Sequence, residues 1–190
     1  MTQREIRTVP ATLEIRADAD KPPVVAGIAA PFDSESRNLG GFTEKIQRGA
    51  FKRSLEESEI IHALWNHDTG APLGSTRSGK LDLRETDAGL EFELDARRMT
   101  PQQLDAVADG DMRMSFGFST KADQWEDRDD DDPLRTLLDV DLFEISMVTQ
   151  PAYEDTAVAK RSLDEHRQAQ LVSAEELELM RQIEESKARR

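Results

Sequence analysis

The chain has 190 residues, with 39 Asp and Glu against 25 Lys and Arg and a formal net charge of −14, which argues against a nucleic-acid phosphate track and an anionic membrane surface. It contains no cysteine, so disulfides, thiolate metal sites and a cysteine nucleophile are excluded. No apolar run approaches the roughly 20 residues of a membrane span, and Met1 to Glu5 lack the apolar stretch of a signal peptide, so the expectation is a soluble intracellular protein.

Three parts are expected: a leader over residues 1–23, a domain over 24–160 and a charged helical tail over 161–190. In the leader, Thr12 to Arg16 alternate like a strand and Asp18 to Pro23 read as a turn. Val24 to Phe32 form a small-residue apolar strand, Asp33 to Gly41 a polar loop, and Phe42 to Gln47 a further strand. Gly49 to Ser58 read as a short helix, with Phe51 and Leu55 on one face. Ile60 to Asn66 are strand-like and end at the turn His67-Asp68-Thr69-Gly70.

Lys80 to Thr86 and Gly89 to Asp95 predict a hairpin, with alternating apolar residues on both arms. A helix then opens with Thr100 as N-cap, Pro101 in the first turn and Gln103 closing a capping box, while Met99 and Leu104 stand where a hydrophobic staple would be. Gly110 ends it. Arg113 to Lys121 form a strand with Met114, Phe116 and Phe118 on one face and Ser115, Gly117 and Ser119 on the other. Glu126 to Asp132 are nearly all acidic and read as a solvated hairpin tip, since they lack the turning glycine of a calcium loop. Leu134 to Val148 return as a long strand. In the tail, Ser173 with Glu176 makes a capping box, Val172 with Leu177 a staple, and Leu179, Met180 and Ile183 an apolar stripe. Six or more strands with short helices predict an α+β, mainly β fold: a closed or nearly closed barrel of about six to eight strands.

Three residues carry candidate chemistry. His67 sits where a strand leaves the core, and a histidine is the usual base near neutral pH. Ser115 lies mid-strand between anchoring aromatics, and Gly117 beside it would let a substrate backbone approach from a cleft. Glu144 shares parity with Leu138, Val140 and Leu142, so a carboxylate continues an apolar face. Burying it unpaired costs several kcal/mol, of order 3–5. An imidazole would satisfy it, as would an arginine or a strand end that reaches solvent. Asp68 is adjacent to His67 and poorly placed to aim at its ring. His62 lies at odd spacing from His67 and, on a regular strand, points to the other face. His166 lies in the tail.

Several runs in fixed order carry a family resemblance: Gly27-Ile28-Ala29-Ala30-Pro31-Phe32, Arg48-Gly49-Ala50-Phe51, Asn66-His67-Asp68, Pro72-Leu73-Gly74, Met114-Ser115-Phe116-Gly117-Phe118, and Glu144-Ile145-Ser146 with Val148, Pro151 and Ala152. Over about Val24 to Lys160 the chain resembles the prohead serine proteases of tailed bacteriophages, a family related in fold to the herpesvirus assembly proteases. The resemblance implies Ser115 as nucleophile, His67 as general base and Glu144 as third member, with His62 the alternative if a bulge turns it. It implies no metal or organic cofactor. It implies the major capsid protein or its scaffolding segment as partner, with self-cleavage and self-association, inside the immature prohead in the host cytoplasm. The tail would then be a packaging or scaffold-binding element. A catalytically silent assembly scaffold on the same fold is the alternative.

Overall fold

The computed structural model describes residues 4–18, 20–129, 131–149, 161–173 and 181, and the described residues form ten strands, three α-helices and one short 3-10 helix. One sheet has the order β1-β9-β10-β5-β6, with β4 also pairing β10. Its strands are β1 (Glu5–Val9), β4 (Thr43–Ile46), β5 (His62–Trp65), β6 (Gly74–Ser75), β9 (Arg113–Arg128) and β10 (Asp131–Val148). The other has the order β2-β3-β8-β7, from β2 (Leu13–Asp18), β3 (Lys21–Pro31), β7 (Leu81–Glu85) and β8 (Gly89–Asp95). The class is α+β and mainly β, as expected.

The closed barrel is not what the described residues form. They make two sheets packed on a shared core that includes Val25, Phe51, Phe92, Phe116, Phe118 and Leu142. A closed ladder would have to continue through two corners, and both interrupt it. Between β1 and β2 lies Pro10, which has no N–H to donate. Between β6 and β7 the lane is only the two residues of β6, and one backbone bond, Lys80 N–H to Ser75 O at 3.2 Å, joins the sheets there.

The expected hairpin of β7 and β8 forms, with Leu81 opposite Leu94 and Leu83 opposite Phe92. Helix α2 (Pro101–Ala108) carries the expected capping box between Thr100 and Gln103. The acidic run lies at the tip between β9 and β10. The first part of the tail is helical over 161–173 (α3), and Leu163 packs with Leu39 and Phe42 while His166 stacks on Trp125 at 4.6 Å. Helix α3 already runs through Val172 and Ser173, so it does not start at the capping box expected there; Glu176, Leu177 and the stripe Leu179, Met180 and Ile183 lie outside the described residues, as do Pro151 and Ala152.

Two features of the six-stranded sheet position the site. Strands β4 and β5 both pair parallel to the same edge of β10, β4 at Leu134 to Leu137 and β5 at Glu144 to Met147. The stretch between those lanes is filled from the segment around helix α1 (Lys52–Glu57): the Val140 amide donates to the Ala50 carbonyl at 3.1 Å and the Leu142 amide to Ser54 Oγ at 2.8 Å. At that point β10 carries a bulge. Leu142 pairs with Phe118 and Glu144 with Gly117, so Phe143 is the extra residue.

Candidate active site

The bulge changes which face Glu144 occupies. Simple alternation puts it on the face of Val140 and Leu142, but the extra residue shifts the phase, so Leu142, Ile145 and Met147 point into the core. Glu144 and Ser146 therefore share the opposite face of the sheet. Across β10 they oppose Gly117 and Ser115 of β9 on one side, and His62 and Leu64 of β5 on the other. On this face Glu144 is still only 2 % exposed, so its need for partners stands.

His67 reaches that carboxylate from the turn after β5. Asn66 and His67 both adopt left-handed backbone conformations, with φ of 49° and 60°, a region that Asn and His enter more readily than most residues. Such strain persists only where surroundings enforce it. Here the His67 amide donates to Ser146 Oγ at 2.9 Å, Asn66 N–H to the Met147 carbonyl at 2.9 Å, and Thr149 N–H to Asn66 Oδ1 at 3.1 Å. The turn is thereby tied to β10 at the residues following Glu144.

His67 Nδ1 lies 2.7 Å from Glu144 Oε1. The same oxygen accepts Arg4 Nη2 at 2.9 Å. Both Glu144 Oε2 and His67 Nε2 are buried without a hydrogen-bond partner among the described residues. Of the three partners open to Glu144 from the sequence, two are present together: an imidazole and an arginine. Asp68 instead accepts the Gly70 amide at 2.8 Å. His62 lies opposite Glu144 on β5, on the same sheet face as the carboxylate. Strand alternation misjudged it because the two left-handed residues end the period before His67.

Ser115 is on this face too, but in a different state from the one its pattern suggests. It does not face an open cleft; it is fully buried, at 0 % exposure. Edge strand β1 pairs antiparallel with β9 beside it, Thr8 opposite Ser115 and Ile6 opposite Gly117. The Ser115 hydroxyl donates to the Arg7 carbonyl at 3.1 Å and accepts from Thr8 Oγ1 at 3.4 Å. No hydrogen bond joins it to His67. The structure thus joins His67 to Glu144 directly and sets Ser115 on the same sheet face, one β10 neighbour away through Ser146.

Gly117 has a steric reason to be glycine. A Cβ built there would lie 2.6 Å from Glu144 Oε1 and 2.9 Å from Arg4 Nη2. Arg4, Thr8, Ser146 and Ser54 are the residues that sequence reasoning missed. The small polar ones look like ordinary strand or helix residues, and Arg4 belongs to a segment that gave no strand signal. No group of three or more His, Asp or Glu side chains suited to a metal occurs among the described residues. None of their helices is long and apolar enough to cross a membrane.

A family model described as Caudovirus prohead serine protease matches residues 11–169. No curated protein and no solved structure matches the chain.

Proposed function

The chain belongs to the caudovirus prohead serine proteases, and from that premise we propose that Ser115, His67 and Glu144 are its catalytic residues. Membership implies a capsid-maturation role, interaction with capsid proteins and a place inside the prohead. The proposal adds the residues, the scaffolding part of the capsid protein as substrate, and self-cleavage.

The observation that carries it is the 2.7 Å contact of His67 Nδ1 with a carboxylate that is almost wholly buried. A carboxylate accepts only, so in the neutral imidazole Nδ1 is the protonated nitrogen and Nε2 holds the lone pair. That is the state of a general base. Once the face covered by β1 has opened, Ser115 leaves the Arg7 carbonyl and gives its proton to Nε2 as Oγ attacks the scissile carbonyl carbon. Glu144 stabilises the imidazolium so formed, which then protonates the leaving amine. Water, deprotonated by the same imidazole, breaks the acyl ester and frees Ser115.

Full burial of Ser115 favours a second reading, an assembly factor that keeps the fold without turnover. Co-expression with the cognate capsid protein, followed by intact mass, separates the two. Capsid protein shortened by wild type and left whole by Ser115→Ala and His67→Ala, a loss of about 10⁴-fold or more, supports the protease. Equal shortening by Ser115→Ala removes Ser115 from the mechanism. Full-length capsid protein with every variant, in assembled proheads as well, leaves the assembly factor.

A further inference from the structure

We infer that Arg4 is a positioning residue of this site: its guanidinium pairs with the Glu144 carboxylate and holds it aimed at His67. The inference rests on the catalytic reading above. Glu144 has two neighbours within ion-pair distance among the described residues, His67 and Arg4. A neutral imidazole supplies one N–H but no charge. A buried carboxylate without a cation is left uncompensated. Arg4 supplies that cation, 2.9 Å from Oε1.

The arrangement is built rather than incidental. Nη2 and Nε of Arg4 lie within 3.0 Å of where a Gly117 Cβ would be, and Glu144 Oε1 within 2.6 Å. The missing side chain at Gly117 is therefore the space in which guanidinium and carboxylate meet. Both donors converge on Oε1, at 2.7 and 2.9 Å. This fixes the carboxylate from two directions, the imidazole side and the β1 side. Arg4 itself stays 44 % exposed in its side chain, so the cation is reachable from solvent while the anion is not.

The test uses proheads assembled with wild type, Arg4→Ala, Arg4→Lys, Glu144→Gln and the Arg4→Ala/Glu144→Gln double variant, with the rate of capsid-protein shortening read by intact mass. Arg4→Ala should slow cleavage by about 10- to 100-fold, the range seen when a residue that orients a site ligand is lost. Arg4→Lys should retain more. Millimolar guanidinium or ethylguanidinium should restore part of the Arg4→Ala rate, because the vacated position opens to solvent. In the Glu144→Gln background Arg4→Ala should add nothing, since an amide has no charge to compensate. Wild-type rates in Arg4→Ala overturn the inference. So does a loss that persists in the Glu144→Gln background without guanidinium rescue, which would make Arg4 only a brace for β1. If Glu144→Gln itself cleaves at the wild-type rate, it is the catalytic reading of Glu144 that fails, and the inference falls with it.

Discussion

At the scale of single residues, the site depends on one absent side chain. Any Cβ at position 117 collides with the Glu144 carboxylate and the Arg4 guanidinium, both the far ends of flexible side chains. The fold can absorb that by moving them, so Gly117→Ala should melt within a few degrees of wild type. The carboxylate cannot move and still hold Nδ1 at hydrogen-bond distance. Displacement by about 1 Å near reacting groups costs on the order of 100-fold in rate, so cleavage of capsid protein should fall by that factor while the melting curve holds. Cleavage at the wild-type rate would mean that the Glu144 contact does not matter to turnover. His67 and Glu144 were legible from the sequence because a histidine at a strand end and a carboxylate within an apolar strand each demand an explanation. The route to Glu144 was not legible: alternation put it on the wrong face, since a bulge leaves no mark in a run such as Leu142-Phe143-Glu144.

At the scale of elements, β1 holds the site together yet gave no strand signal. Its alternation, Glu5-Ile6-Arg7-Thr8-Val9, puts charges where a buried face should be apolar. Glu5 and Arg7 are each only 4 % exposed, which is tolerable because Arg7 meets Glu44 at 2.8 Å and Arg135 meets Glu5 at 2.9 Å. Those partners come from β4 and β10, far away in sequence, so no local pattern could announce the strand. The cluster also makes β1 sensitive to acid. Burial alone would raise the Glu5 carboxyl, but the hydrogen bond from Arg135 and the charges of Arg7 and Arg135 outweigh it and hold the group below its ordinary value of 4.5. A group depressed on folding stabilises the protein above its unfolded value, and that stabilisation is lost as pH falls through the folded one. The melting temperature should therefore be insensitive to this group between pH 7 and about 5 and fall below about pH 4.5. Glu5→Gln should start lower, by on the order of 3 kcal/mol for a broken buried pair, and decline less steeply. Parallel acid profiles for the two proteins would show that Glu5 does not carry the effect.

For the whole molecule, the sequence conveyed the balance of strands and helices but not how the sheets close. Strand signals are local. Whether ten strands make one barrel or two sheets depends on corners such as Pro10 and the two-residue β6. The same arrangement decides how the site is reached. With β1 paired along β9 and Ser115 at 0 % exposure, no peptide carbonyl can approach Oγ in this conformation. With Ser115 as the proposed nucleophile, reaction must therefore begin from a state in which that face has opened. If opening costs about 3 kcal/mol, on the order of one molecule in a hundred is reactive at any moment. A fluorophosphonate, which reacts with an activated serine and leaves a permanent mass increment, measures that fraction. Labelling of Ser115 in the free protein should be slow and should accelerate as urea is raised below the unfolding transition, because denaturant favours the state that exposes more surface. Beyond the transition it should stop, since an unfolded chain has no His67 beside its serine. The His67→Ala variant should stay unlabelled throughout. Rapid labelling that ignores urea would mean that Ser115 is already open in the free protein and that β1 is no barrier to it.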